Sequence, residues 1–276
     1  MDAFLEYSFL QTALAAGLLA SIGCGVMGSY VVVKRIGYMA GGISHSVLAG
    51  MGAALFFGFS PMLGALIAAL VAALFIGWIK LRWQAQEDTL IGAMWAIGMS
   101  IGVLFISRTP GYSTDLMSYL FGNILLVSRS QLWEMAALNI LVIGMVLAFY
   151  RQFLAVSFDE EFARLRGVPV NFFYLLFLCL VALTVVLLVQ VVGLILVIAL
   201  LTLPAAIAGH YIHTMGRMMI LASGLGMIFT SVGIWLSYVL DMPTGAIIIL
   251  VAGSCYLLSA LFSQWWRERR SGSTAS

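Results

Sequence analysis

The chain is written as long runs without a single charge, separated by short charged stretches. Residues 7–33, 36–79, 89–107, 135–150, 167–216, 218–240 and 242–266 contain no Asp, Glu, Lys or Arg. A helix needs about 20 apolar residues to cross the hydrocarbon core of a bilayer. The runs 36–79 and 167–216 therefore each hold two spans, turning near FGFSP (57–61) and near LVQVVG (188–193). The pattern predicts an all-α polytopic membrane protein with about eight to nine transmembrane helices, the charge-free runs adding up to nine crossings. The alternating apolar and polar segments of a membrane β-barrel are missing. One stretch fits poorly. In TDLMSYLFGNILLVSRS (114–130), the uncharged part 116–128 is too short to cross and reads as a re-entrant or interfacial helix.

Basic residues orient the spans. Lys34 and Arg35, Lys80 and Arg82, Arg151, Arg164 and Arg166, Arg217, and Arg267, Arg269 and Arg270 all fall in alternate connections, which is eleven of the thirteen basic residues. That side is expected to be cytoplasmic, with the N-terminus outside and the C-terminus inside. A transmembrane domain is expected over 1–266 and a cytoplasmic tail over 267–276. The first apolar run lacks a basic n-region and is too long for a signal peptide, so it reads as a retained span.

Composition agrees with the pattern. The 276 residues are 63% hydrophobic and 9% charged, with a mean hydropathy of +1.11, against roughly half apolar and a quarter charged in soluble domains. A net charge of +2 gives no reason to expect nucleic acid. Cys24, Cys179 and Cys255 lie scattered in apolar runs without metal or redox spacing and read as small hydrophobes. The 15 methionines read as core filler. No GxxxxGK[ST] motif occurs, and the longest cytoplasmic connection has about twenty residues, so nucleotide hydrolysis must come from elsewhere.

That connection, RQFLAVSFDEEFARLRGVPV (151–170), carries its own helix signals. Ser157 and Glu160 match an S-x-x-E capping box, acidic residues fill the first turn, and Arg164 and Arg166 fill the last. Gly167 is placed to close the helix and Pro169 to stop it. A helix over about 157–167 is expected, with Phe158, Phe162 and Leu165 along one apolar face. So short a helix needs something to dock on, either lipid headgroups or the groove of a cytoplasmic protein. Three acidic residues against two basic ones within 159–166 argue against anionic lipid.

Five blocks in order resemble the permease subunits of metal-uptake ABC transporters of the zinc/manganese/iron type, the ABC-3 family. They are GSYVVVKRIGYMAGGISHSVLAG (28–50), DLMSYLFGNIL (115–125), FDEEFARLRGV (158–168), VGLILVIALLTLPAAIAGH (192–210) and DMPTGAIIIL (241–250). The resemblance implies a fold related to the vitamin B12 importer type and a bacterial inner-membrane location. It also implies a homodimer of permeases embedded in lipid, a cytoplasmic ATP-binding subunit and an extracytoplasmic metal-binding protein. No cofactor is permanently bound, and Zn2+ or Mn2+ is transient cargo. Phe158, Glu161, Phe162, Ala163, Leu165 and Gly167 then belong to the coupling helix that meets the ATPase.

His45 is the one histidine expected within hydrocarbon. An ionisable group there faces a cavity, a partner or an ion, and neutral imidazole is the metal-ligating form. The competing reading is a hydrogen bond across a tight small-residue helix interface. The family often carries an acidic residue four positions earlier, and here that position is Gly41. Three consequences stay open: a weaker site, two His45 side chains meeting across a dimer axis, or ligands from Met39, Cys24 or Ser44. An imidazole without a carboxylate leans towards zinc. Asp115 and Asp241 lie on the outer side, where they attract cations, meet a binding protein or pair with Arg108 and Arg129. Pro204 is expected to kink its span, as a hinge or for packing alone. His210 and His213, near the cytoplasmic end of that span, read as loop histidines or as receivers of an exiting ion. A secondary transporter or channel lacks its intramembrane carboxylates here, and an intramembrane enzyme lacks its constellation of reactive groups.

Overall fold

The computed structural model describes residues 8–82, 87–109, 122 and 124–272. Its helices are α1 (Ser8–Val33), α2 (Gly37–Phe56), α3 (Pro61–Arg82), α4 (Glu87–Arg108), α5 (Arg129–Ala148), α6 (Tyr150–Phe158), α7 (Glu160–Leu165), α8 (Val170–Tyr211), α9 (Met215–Leu240) and α10 (Thr244–Gly272), with a 3-10 turn at Ile124–Leu126. Helix is the natural outcome for charge-free runs, because in hydrocarbon the backbone must satisfy its own hydrogen bonds. Among the described residues, nine segments are long and apolar enough to cross a membrane.

Both expected turns are present. Phe57–Ser60 links α2 to α3, with Gly58 at φ 75°. The second turn is sharper than a loop. α8 comprises two crossing segments, Val170–Val189 and Val192–Tyr211, separated where Gly193 takes φ 77° and ψ 166°. That backbone region is closed to residues with a Cβ. Pro204 lies inside the second segment, and the helix continues through it. Most of 114–130, including Asp115, lies outside the described residues. The described end of that stretch holds the 3-10 turn, and Ser128 then caps α5 with a reciprocal bond to Gln131. α10 continues without a break past Arg267 to Gly272.

The core lies around α1, α2 and the two halves of α8, whose apolar windows are 67%, 72%, 72% and 61% buried, against 22% for α4, α5 and α10. The latter three present most apolar surface outward. α2 is sandwiched between α3 and α4, and α1 between α8 and α9. Small residues permit the closest crossings. A Cβ on Gly50 or Gly64 would strike the opposite backbone, so α2 and α3 touch main chain to main chain there. Buried polar side chains link helices: Asn139 on α5 donates to the Leu19 carbonyl of α1 at 2.9 Å, and Ser21 meets Thr230 of α9 at 3.3 Å.

Candidate functional site

Two places carry function-bearing side chains: the middle of α2, and the end of the bundle where the basic residues gather. On α2, His45 is 6% exposed, and its buried Nδ1 has no hydrogen-bond partner. Its ring stacks on Trp95 of α4, with centroids 4.1 Å apart and planes 14° from parallel. The stack follows from helix geometry. Ile91, Trp95, Gly98 and Gly102 recur at i, i+4, i+7 and i+11, one face of α4. A Cβ on Gly98 would lie 2.9 Å from Ser46 Cα and 3.2 Å from the His45 carbonyl oxygen. Glycine there lets α4 rest directly on the backbone of α2, and the indole one turn away is laid flat over the imidazole.

Gly41, one turn before His45, faces the same indole. A Cβ at this position would lie 3.3 Å from Trp95 Cζ3 and 3.8 Å from Ile198 Cδ1. Trp95 therefore occupies the space into which a side chain at 41 would grow. Met39 and Ser44 turn elsewhere. The Ser44 hydroxyl donates to the Ala40 carbonyl at 2.8 Å, and Met39 Sδ accepts from the Tyr174 hydroxyl at 3.3 Å. Their angular positions on α2 place both off the His45 face. Among the described residues, no three His, Cys, Asp or Glu side chains cluster as a metal-ligand set. The stacked imidazole is the one group on this face with the chemistry of a metal ligand. Trp95 escaped the sequence reading, although W-x-x-G-x-x-x-G is the signal of an aromatic packed beside a close helix crossing.

At the basic end, α5 breaks at Phe149 and continues as α6. Phe153 and Val156 of α6 are buried, and Phe153 packs edge-on or tilted against Tyr30, Phe173 and Phe177. This anchors α6 to the ends of α1 and α8. The next residues depart from the expected capping box. Ser157 continues α6, which ends at Phe158. Asp159 takes an extended conformation and caps α7, its Oδ1 accepting from the Phe162 amide at 2.9 Å. The packing of Phe153 and Val156 draws Ser157 into helix, so the cap passes to the next short polar residue. The anticipated single helix over 157–167 is thus the last turn of α6, a break, and the six residues Glu160–Leu165.

Its C-terminus matches the expectation. Gly167 takes φ 77°, its amide donates to the Arg164 carbonyl, and the Val168 amide donates to the Ala163 carbonyl. This is a Schellman closure. Ala163 is fully buried against the bundle, while Phe158, Phe162 and Leu165 are 63%, 50% and 87% exposed. Glu161 is exposed as well. Arg166 lies 5.1 Å over the Phe162 ring. α7 is therefore held to the core by its small face and offers apolar side chains outward.

A cleft of about 840 Å³ at the same end is lined by Arg35, Phe158, His210 and His213, among others. His210 is engaged: Nδ1 meets the Ser259 hydroxyl at 3.1 Å, and the ring stacks on Tyr256 at 6.0 Å. At the opposite end, Asp241 is exposed in the left-handed conformation that closes α9, and among the described residues it forms no ion pair.

The ion pair between Lys34 and Glu160, at 3.1 Å, also went unread in the sequence, because it joins residues 126 positions apart. Lys34 Nζ donates in addition to the Val156 carbonyl at 2.8 Å. Burial lowers the Lys34 ammonium below the ordinary lysine range, and its bond to Glu160 opposes that shift.

Comparison with known proteins agrees with this architecture. The family model described as "ABC 3 transport family" matches residues 6–263. An uncharacterized membrane protein of Synechocystis sp. is 48% identical over 258 residues, covering 94% of this chain and 92% of its own. The manganese transport system membrane protein MntC of Halalkalibacterium halodurans is 35% identical, covering 98% of this chain and 94% of its own. In the solved structure of PsaBC from Streptococcus pneumoniae in complex with Fab, one chain superposes with a TM-score of 0.85 at 32% identity, covering 94% of this chain and 93% of that one. The match over nearly the whole chain and the likeness to these transport proteins make the chain a member of the ABC 3 transport family, the permeases of metal-uptake ABC transporters.

Proposed function

We propose that this chain is the membrane subunit of an ATP-driven zinc importer, with His45 on the ion's path and α7 docked on a cytoplasmic ATPase. The observation that carries the reading is the pairing of family membership with α7. This helix is too short to stand alone, yet it is capped at both ends, fixed to the core through Ala163, and turns Phe162 and Leu165 outward beside the exposed Phe158 that ends α6. Exposed aromatic anchors of this kind fit the groove of a partner protein. On this reading the basic end faces the cytoplasm, as the distribution of Lys and Arg favours. Asp241 lies on the outer face, where an extracytoplasmic metal-binding protein delivers its cargo.

Two copies of the chain form the pathway, and the outward apolar surface of α4, α5 and α10 is shared between lipid and the second copy. ATP closes the ATPase dimer, α7 moves with it, and the membrane helices exchange outward for inward access. His45 is a sparse ligand in a greasy surrounding. A transit site must release its ion, so sparseness suits passage. Imidazole is a good ligand for Zn2+, whereas Mn2+ favours oxygen ligands, and Gly41 supplies none. The relatives named for manganese favour the other cargo, and direct measurement separates the two. Cells with and without the chain are compared for metal content, and the chain is tested for co-purification with an ATPase subunit. Loss of zinc with the chain's deletion supports the proposal. Loss of manganese with unchanged zinc would reassign the cargo, and transport without any ATPase would make the chain a secondary transporter or channel.

A further inference from the structure

The connection between the first two spans is only three residues long, Lys34 to Ile36, and it is tightly built. The Lys34, Arg35 and Ile36 amides donate to the Tyr30, Val32 and Val31 carbonyls, and Arg35 adopts φ 57°. The geometry sends the Lys34 side chain inward, 8% exposed, to the junction of α6 and α7. There the ammonium bonds on both sides of the break at Asp159: to the carbonyl of Val156 in the last turn of α6, and to the carboxylate of Glu160 in the first turn of α7. A helix C-terminus and a carboxylate both attract a cation. One side chain thus sets the angle between the two helices. The same ammonium lies 5.4 Å over the ring of Tyr174 on α8. The Tyr174 hydroxyl, on a side chain 2% exposed, donates to Met39 Sδ on α2. From Glu160 to Met39 the contacts are continuous, and Met39 belongs to the helix that carries His45.

We propose that Lys34 is the strut of this permease, a positioning residue that fixes α7 to the membrane helices and hands its motion, through Tyr174 and Met39, to α2. The inference rests on α7 being the ATPase-docking helix, but its structural half does not. A merely structural lysine would change stability alone. A strut changes how much transport each ATP yields, because a docked but loose α7 moves without taking the bundle along.

The test uses the full-length chain with Lys34→Met, Lys34→Arg, Glu160→Gln and the Lys34→Met/Glu160→Gln double variant. Hydrogen exchange of residues 157–168 in detergent, without any ATPase, reads the strut itself. Bonds to charged groups are worth enough that Lys34→Met is expected to speed local exchange about tenfold or more, with Glu160→Gln smaller because the Val156 bond remains. The double variant exchanges no faster than Lys34→Met, and Lys34→Arg stays near wild type. Reconstituted with the ATPase subunit, Lys34→Met still captures that subunit through Phe158, Phe162 and Leu165 but moves several-fold less zinc per ATP. Unchanged exchange in Lys34→Met overturns the strut. Faster exchange with an unchanged zinc-to-ATP ratio reduces Lys34 to a fold-stabilising residue and overturns its part in transmission. Failure of the wild-type chain to capture any ATPase subunit strikes the docking reading instead, and leaves the exchange result to judge the strut.

Discussion

At the residue scale, the informative pair is His45 and Trp95. An imidazole buried among small residues is costly unless something rewards it, and here the reward visible within one chain is a ring stack, worth about 0.5–1.5 kcal/mol beyond area burial. The stack fixes the ring while leaving the buried Nδ1 without a partner. Trp95→Ala is expected to lower zinc uptake while Trp95→Phe, which keeps an aromatic face, retains most of it. Equal uptake by both variants at equal expression would remove the indole from the site. Gly98 sets the distance between the two helices. Gly98→Val forces side-chain atoms against Ser46 and should cost about 1–3 kcal/mol, as overpacking does, seen as a lower melting temperature in detergent. His45 was legible from the sequence because charge-free runs put it at membrane depth. Trp95 was not singled out, because its W-x-x-G-x-x-x-G spacing marks an aromatic beside a close crossing without saying which helix lies opposite.

At the element scale, α7 shows how a sequence signal can be right in substance and displaced in detail. The C-terminal closure at Gly167 was readable because only glycine takes that backbone conformation cheaply. The N-terminal cap was misread by two residues, because the burial of Phe153 and Val156, a tertiary effect, extended α6 through Ser157. A six-residue helix has little margin. Asp159→Ala removes a cap worth about 1 kcal/mol, and Gly167→Ala strains a left-handed position by about 1–2 kcal/mol. Each should fray α7 and weaken capture of the ATPase subunit in pull-down, and the two together should do so more than either. Phe162→Asp places a charge in the docking face and is expected to uncouple: the chain inserts normally, but metal no longer stimulates ATP hydrolysis. Undiminished stimulation would show that the apolar face is not the contact. In α8 the two-span reading held because fifty uncharged residues exceed one crossing, and the break between the spans falls at Gly193, which leaves helical backbone altogether.

At the scale of the whole molecule, hydropathy and charge carried most of the architecture. Nine segments, both turns and the grouping of basic residues were readable before any coordinates, because a bilayer leaves a chain few choices. The burial ranking of the helices was not, since every run is apolar and none has a marked polar face. The contrast between a buried α2 and an outward α4 emerges only from packing. Orientation has a direct check. A cysteine in place of the exposed Phe59 should react with an impermeant thiol reagent from outside intact cells, and one in place of Leu165 only after the membrane is opened. The reverse pattern would invert the topology and remove α7 from the cytoplasm.

Zinc moving past His45 at the expense of ATP is the step on which the proposed function rests. The decisive measurement is radioactive zinc uptake into proteoliposomes holding the chain, its ATPase subunit and its metal-binding protein, wild type beside His45→Ala. The account predicts ATP-dependent accumulation in the wild type and a fall of at least about tenfold in the variant, the lower bound of what even outer-shell changes cost a metal site. Accumulation by His45→Ala at the wild-type rate, or accumulation that needs no ATP, would contradict it.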